Sequence, residues 1–262
     1  KDYGFQLVPN TTELDSGDLL VLDVILGSPS KPVVDLMGLV YSLNFAPHKL
    51  QPEALSSALA SLEEVTGVVS ASAQIKWSKQ GIRSSGAVVE VKNLSLTHET
   101  GKISDLNVAL NLNNLLPLSS LPQQTIKIRS IDAGIPLENL LVSYQIASAD
   151  LPRIILEKAQ FSVMDGLVSL TPAVIDPSAA RSNLLVHVDN IDLAAFFELI
   201  QVEGLTGTGH LDGHIPIKLE GEQITISDSL LTARAPGILR FKSDKASQLL
   251  AGAGEEMNLL LQ

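Results

Sequence analysis

Hydrophobic and polar residues alternate along most of this chain. From Val69 to Trp77 the odd positions are hydrophobic and the even positions are Ser, Gln or Lys, which is typical of a β-strand with one face in water. The same two-residue period recurs at residues 89–92, 105–112, 126–129, 140–146, 184–188, 211–219 and 224–226. Turn signals separate these runs at Asn113-Asn114, Gly134, Asp165-Gly166, Asp176-Pro177 and Glu220-Gly221. The pattern predicts a mainly β protein with a long antiparallel meander.

A few segments show helical spacing instead. Hydrophobic residues recur every three or four positions over residues 51–66, with Pro52 near the start and Gly67 after the end, which predicts a helix there. Asp192 is placed to cap a short helix over Leu193 to Ile200, and Ser243 to cap another over residues 244–250. Residues 255–262 read as a helix or strand that is cut off, so we expect the chain to end inside a domain.

Composition narrows the function classes. Lys and Arg total 18 against 29 Asp and Glu, a formal charge of -11, which excludes nucleic acid as a partner and disfavours electrostatic binding to anionic lipid headgroups. There are no cysteines, so disulfides, thiolate metal sites and cysteine nucleophiles are excluded. The chain is 45% hydrophobic but only 4% aromatic and 18% charged. Some aliphatic surface is therefore expected to stay uncovered by protein.

The segment Gly204 to Ile217 contains four glycines, two histidines and an aspartate. A dinucleotide-binding loop would need a third glycine at position 212, where the chain has Asp212, and a following helix rather than an alternating strand. His210, Asp212 and His214 share one face of a strand, but three such side chains span about 13 Å, too wide for tetrahedral zinc. We interpret them as the water-exposed face of a strand.

Other catalytic motifs are missing or isolated. The stretch Ser28-Pro29-Ser30-Lys31 matches S-x-x-K without its companion motifs, and no nucleophile, base and orienting group assemble elsewhere. We therefore predict no enzyme activity, no metal and no cofactor.

Residues 1–50 differ from the rest. The runs S-G-D-L-L-V-L-D-V-I-L-G and G-L-V-Y-S-L-N-F-A-P-H-K-L resemble the opening strands of cohesin-like β-sandwich domains, although Ala46 stands where that family has an acidic residue. We treat residues 1–50 as a separate β-rich segment, either a cohesin-like fragment or appended strands, and residues 51–262 as a second unit.

The second unit resembles a known family. The ordered segments I-D-A-G-I-P-L-E-N-L-L-V-S-Y, L-E-K-A-Q-F-S-V-M-D-G-L-V-S-L, V-D-N-I-D-L-A-A-F-F-E-L, V-E-G-L-T-G-T-G-H-L-D-G-H-I-P-I-K-L and I-S-D-S-L-L-T-A-R-A-P-G-I-L-R-F follow one another from residue 131 to residue 241. This order resembles the YdbH family of the AsmA-like group, which includes TamB, most closely over residues 125–262.

That resemblance implies a periplasmic protein of Gram-negative bacteria, held in the inner membrane by an anchor outside this chain. It implies a long curved antiparallel sheet, the AsmA-like β-groove, that shields phospholipid acyl chains between the membranes. It also implies a small outer-membrane lipoprotein partner that adds a strand to the C-terminal end of the groove. A groove needs an apolar face that aromatic side chains do not fill, and the low aromatic content meets that requirement.

The hydrophobic positions of the last strands are then the expected lipid-contacting residues of the groove. They are Leu184, Val186, Val188, Leu211, Ile215, Ile217, Leu219, Ile224 and Ile226. The alternative is a structural or adhesive β-sandwich module of the cell envelope or surface, in which the same face packs on itself in a closed, dry core.

Overall fold

The structure is a computed structural model. It describes residues 3–7, 20–26, 33–78, 80–148, 151–176, 179, 181–200, 204–220, 223–226 and 229–241. The predicted helix after Ser243, the predicted element at residues 255–262, and the turn residues Pro177 and Gly221 lie outside these ranges.

The described part contains eighteen strands and one α-helix. The first nine strands are β1 (Tyr3–Leu7), β2 (Leu20–Leu26), β3 (Val33–Phe45), β4 (Glu63–Ser78), β5 (Gly81–His98), β6 (Gly101–Leu115), β7 (Leu118–Ser120), β8 (Gln124–Asp132) and β9 (Pro136–Ala147). The remaining elements are β10 (Arg153–Val163), β11 (Gly166–Leu170), β12 (Ala173–Ile175), β13 (Ser182–Asp192), α1 (Leu193–Ile200), β14 (Leu205–Thr208), β15 (His210–Glu220), β16 (Gln223–Ile226), β17 (Leu230–Ala233) and β18 (Ile238–Phe241).

Sixteen of the described strands form one antiparallel sheet, in which the strands follow one another in sequence order except that β7 pairs only with β6, β12 only with β10 and β17 only with β15, while β14 lies outside this sheet. The sheet is not closed on itself, and the predicted mainly β meander is confirmed. The strands β1 to β3 belong to this same sheet, because β3 pairs with β4 from Val33 opposite Ser78 to Phe45 opposite Gly67. The strands β14 and β18 form a separate two-stranded sheet.

The sheet order is interrupted in two places by proline-containing gaps. The strands β7 and β8 both pair with β6, and β11 and β12 both pair with β10. Pro122 lies in the first gap and Pro172 in the second. Proline has no amide hydrogen to donate, so it is placed where the ladder of backbone hydrogen bonds stops.

Two buried polar side chains replace the missing backbone bonds at the first gap. The Ser120 hydroxyl accepts a hydrogen bond from the amide of Ile146 at 2.8 Å, and the Gln124 amide nitrogen donates to the Leu121 carbonyl at 2.8 Å. The Gln124 side-chain oxygen also accepts a hydrogen bond from the amide of Asn111. Buried polar groups are costly unless they are bonded, and here they close a break in the sheet.

Register shifts recur along one rim of the sheet. They fall near the C-terminal ends of β3, β5, β10 and β13 and near the N-terminal end of β4, which an antiparallel order brings to the same side. Three residues with positive φ mark these shifts, namely Glu64, Asn93 and Asn190. A bulge bends its strand and increases the local twist, so bulges on several strands favour curvature at this rim.

The predicted helix at residues 51–66 is wrong. Only two short 3₁₀ turns form, at Pro52–Ala54 and Ser57–Leu59, and β4 begins at Glu63. The Gln51 side chain bonds both the amide and the carbonyl of Val65 at 3.0 Å, which fixes the start of β4 against the loop. Sheet pairing and this amide bridge outweigh the helical spacing, and the hydrophobic residues of that spacing, including Leu55, are largely exposed.

The predicted turn at Asn113-Asn114 is also wrong, because both residues lie within β6. The Asn114 side-chain oxygen accepts a hydrogen bond from the Ser85 hydroxyl at 2.7 Å, and that of Asn113 accepts one from Ser119 at 3.0 Å. The chain turns instead at Leu116-Pro117. The predicted turn at Gly134 and the turn before Gly166 are confirmed.

The predicted short helix after Asp192 is confirmed as α1. The Asp192 carboxylate accepts a hydrogen bond from the amide of Ala195 at 2.9 Å, which satisfies one of the free amides of the first turn.

Few hydrophobic side chains are buried for a sheet of this size. Among the side chains from Ser42 onward whose burial the structure describes, eight hydrophobic ones are buried, Phe45, Val65, Ile128, Leu156, Ala159, Val168, Val186 and Ile191. Val168, Val186 and Ile191 form one cluster beneath Phe196 of α1. Most hydrophobic residues of the sheet are therefore only half covered by protein.

We expect Leu156→Ala to lower the free energy of unfolding by about 2 to 5 kcal/mol, because it removes a side chain that is only 6% exposed and leaves a cavity. Denaturant unfolding followed by circular dichroism measures the change. Leu167→Ala is the control, since Leu167 is 40% exposed and its loss should be nearly neutral. Equal losses for the two variants would contradict this assignment of the core.

Candidate functional site

A continuous row of aliphatic side chains crosses ten strands on one face of the sheet. Its members are directly opposite one another in successive strand pairs and therefore share one face. In sheet order they are Leu43, Val69, Val91, Val108, Ile126, Val142, Ala159, Leu170, Val186 and Ile215. We call this set the aliphatic row.

The row contains no polar and no aromatic residue, and it is long. Nine strand spacings of about 4.8 Å give a length of about 43 Å. Only Ala159 and Val186 in the row are buried, while the other members are half-buried. A hydrophobic strip of this length therefore stays partly open to solvent.

The opposite face of the same strands is more polar. Next to the aliphatic row, a second set of directly paired residues runs from β4 to β10. Its members are Ser70, Glu90, Ala109, Thr125, Ser143 and Lys158. Five of these six residues are polar, whereas every member of the aliphatic row is aliphatic, so the two faces differ in chemistry along this line of paired residues.

All nine predicted groove residues lie on the face of the aliphatic row. Register places Leu184 opposite Ile217, Val186 opposite Ile215, and Leu219 opposite Ile224. It also places Ile226 opposite Ile217, Val188 opposite Gly213, and Leu211 opposite Ile191. Their exposure differs widely, from 8% for Val186 to 62% for Ile226.

An apolar cavity of about 150 Å³ lies on this face beside α1. Three of the predicted residues, Val188, Leu211 and Ile215, line it. Its other lining residues are Val163, Met164, Val168, Ile191, Phe196 and Leu231, none of which sequence reasoning singled out. The alternation at residues 166–170 indicates that Val168 lies on this face of a strand. The packing of Phe196 from α1 is a tertiary contact, which no periodic pattern in the sequence predicts.

The glycines of the segment 204–217 serve packing and backbone conformation. Gly207 lies in β14 under α1, where a Cβ would come within 2.7 Å of the Phe197 ring. Gly209 has φ of 123°, a conformation that favours glycine, and joins β14 to β15. No helix follows them, because the chain continues as β15, so the geometry of a phosphate-binding loop is not present.

His210, Asp212 and His214 lie on the polar face of β15. His210 is opposite Asp192 and His214 is opposite His187, while Asp212 lies at the register shift between Val188 and Ile191. The Asp212 carboxylate accepts a hydrogen bond from Arg234 Nε at 2.8 Å and another from the amide of Asn190 at 2.8 Å. Within the described ranges, no group of three or more His, Asp or Glu side chains is placed to hold a metal ion.

Arg234, which directly follows β17, links this strand to β13 and β15 by hydrogen bonds on the polar face. Besides Asp212, its guanidinium donates to Asp189 Oδ1 at 2.6 Å and to Asn190 Oδ1 at 3.0 Å. The hydrogen bond from Arg234, and then that from the Asn190 amide, hold the pKa of Asp212 below its ordinary value. Arg234 directly follows β17, whose Leu231 forms one side of the cavity on the other face.

We expect the hydrogen-bonded ion pair between Arg234 and Asp212 to weaken in acid. A carboxyl whose pKa is lowered by folding stabilises the fold above its ordinary pKa, and the contribution is lost as pH falls through the lowered pKa. Hydrogen exchange at the amides of β17, corrected for intrinsic rates, should therefore lose protection at low pH. Asp212→Asn should remove this pH dependence, while Arg181→Ala, which breaks the exposed Arg181–Glu220 pair at the other end of β15, should keep it. Unchanged pH dependence in Asp212→Asn would contradict the assignment.

The described residues contain no helix that is long and hydrophobic enough to cross a bilayer.

Comparison with known proteins identifies the family. A family model described as "YdbH-like: Intermembrane phospholipid transport protein YdbH" matches residues 36–262, which confirms the resemblance and extends it into β3. A search of the curated proteins gave no match, and neither did a search of the solved structures. The match spans most of the chain and includes all ten positions of the aliphatic row. The chain therefore belongs to the YdbH-like family of intermembrane phospholipid transport proteins.

Proposed function

We propose that this chain carries phospholipid by holding acyl chains against the aliphatic row. The observation that supports the proposal most directly is the unbroken register of aliphatic residues over ten strands, with polar residues on the opposite face. The nine residues from Leu184 to Ile226 form the last part of this surface.

The dimensions of the row suit the proposed cargo. The hydrocarbon core of a bilayer is about 30 Å thick, so one extended acyl chain reaches about 15 Å. The row, at about 43 Å, is longer than one chain by more than five strand spacings of about 4.8 Å. A lipid can therefore lie fully on the row at several positions along it.

The proposed mechanism is sliding without chemistry. Each position along the row offers a similar aliphatic surface, so moving a chain by one strand exchanges one hydrophobic contact for another and exposes little hydrocarbon to water. No catalytic residue and no cofactor take part in this step. The bulged rim supports the proposal of a curved groove, because bulges bend strands in the way that a curved sheet needs.

The low aromatic content supports open space on this face. Aromatic side chains are the largest hydrophobic groups and would fill a groove, but the chain has only six Phe, three Tyr and one Trp. The half-buried state of most row members leaves hydrophobic surface for a ligand to cover. Covering it with hydrocarbon instead of water is favourable by about 25 cal/mol per Å².

Site-specific photo-crosslinking in cells tests the proposal. A crosslinker at Ile126 or at Ile217 should capture phospholipid, because both side chains lie on the face of the row. Crosslinkers at the adjacent residues Thr125 and Lys218 are matched controls on the polar face and should capture none. Equal capture at adjacent positions would contradict the proposed lipid path.

We also propose the cellular setting that the family suggests: a periplasmic chain held in the inner membrane by an anchor outside this sequence. In that setting residues 51–262 supply the groove except for Leu43 of the aliphatic row, and β1 to β3 are strands appended to it. Within the described residues, β16 and β17 pair with β15 alone. We propose that a small outer-membrane lipoprotein adds its strand at the other edge of these two strands.

A photo-crosslinker at Thr225 in β16 should therefore capture an N-terminally lipidated protein, identified by mass spectrometry of the outer-membrane fraction. The control position is His187 in β13, an exposed residue that pairs with Ser169 on one side and with His214 on the other. Capture at His187 but not at Thr225 would contradict strand addition at this edge.

A further inference from the structure

The aliphatic row ends at the cavity beside α1. Ile215, the last member of the row, lines the cavity, and Val186, the member before it, belongs to the buried cluster directly beneath. Val188, two residues after Val186 in β13, lies on the same face and lines the cavity as well. A hydrocarbon chain lying on the row therefore reaches the cavity without leaving an aliphatic surface.

The helix α1 closes the end of this path. Phe196 packs against the buried cluster and forms one side of the cavity. The helix is fixed in place at its start, because the amide of Leu193 donates to the Gly209 carbonyl at 3.0 Å. The close approach of Phe197 and Leu193 to Gly207 holds the same helix against β14. Phe196 therefore projects from a helix that is held against β14, not from a loop.

The cavity suits one kind of occupant. Its lining presents no polar surface, so a phosphate, a glycerol or a headgroup would lose its hydrogen bonds there. Its volume of about 150 Å³ equals that of apolar protein cavities that bind benzene, which has six carbon atoms. The space is therefore too small for a whole acyl chain but sufficient for the last few carbons of one.

We propose that this cavity receives the methyl end of an acyl chain and that Phe196 is the stop against which the chain rests. The proposal depends on the proposed function, since the chain reaches the cavity along the aliphatic row. It gives the bound lipid a direction: the tail end lies at α1, and the remainder extends along the row toward β10 and β9. It also makes the cavity residues missed by sequence reasoning part of the lipid site.

Phospholipids with a photoreactive diazirine on the acyl chain test the direction. One probe carries the diazirine near the methyl end and the other near the carbonyl end, and both are incubated with the full-length wild-type protein. We expect the methyl-end probe to label the cavity residues Val188, Phe196 and Leu211, and the carbonyl-end probe to label row members about 15 Å or less from the cavity, such as Ala159 and Val142. Stronger labelling of the cavity by the carbonyl-end probe, or equal labelling by both, would overturn the proposal.

A variant that fills the cavity gives a second measurement. Val188→Phe adds bulk inside the cavity and should lower methyl-end labelling of Phe196 by about tenfold, the effect of excluding two buried methylene groups. Leu167→Phe is the matched control on the neighbouring strand, where Leu167 is 40% exposed on the opposite face, and should leave labelling unchanged. Unchanged labelling in a folded Val188→Phe protein would contradict the assignment.

The outcomes separate this inference from the proposed function. Labelling of the row without labelling of the cavity by either probe would refute the end pocket and leave the lipid path intact. A lack of labelling on both the row and the cavity would refute the lipid path itself.

Discussion

Cross-strand register is the constraint on which this structure depends. Side chains alternate between the two faces of a sheet, so a shift of one residue in a strand pair would move side chains of the opposite face, such as Thr125 or Ser143, into the aliphatic row. The pairs Val91 with Val108, Val108 with Ile126, and Ile126 with Val142 keep the row unbroken through the middle of the sheet. The gaps at Pro122 and Pro172 and the bulges along the rim allow the strands to end or bend without shifting this central register.

The hydrophobic face of the sheet that protein leaves uncovered follows from the composition of the chain. An ordinary domain covers its aliphatic residues with a second layer, but here only eight hydrophobic side chains are buried among those from Ser42 onward whose burial is described. A hydrophobic face that protein does not cover is unfavourable in water and marks an interaction surface. Phospholipid transport, which the family performs, supplies a hydrocarbon partner for such a face. The acidic net charge agrees with contact through the tails rather than through electrostatic attraction to headgroups.

The sequence predicted those features that depend on local period and missed those that depend on packing. Alternation from Val69 to Trp77 and from Leu211 to Leu219 identified strands and faces correctly, because a half-buried strand must alternate. The helix predicted at residues 51–66 failed because Gln51 and the pairing of β4 with β5 fix that segment through contacts distant in sequence. The cavity wall formed by Phe196 was missed for the same reason, since an eight-residue helix gives no indication of which strands it packs on.

The central claim is that hydrocarbon covers the aliphatic face of the folded protein. Native mass spectrometry of the full-length protein, purified without detergent exchange, tests it most directly. The account predicts a folded protein with phospholipid bound, and release of that lipid when the protein is unfolded. A folded protein that carries no lipid and binds none from phospholipid vesicles would contradict it.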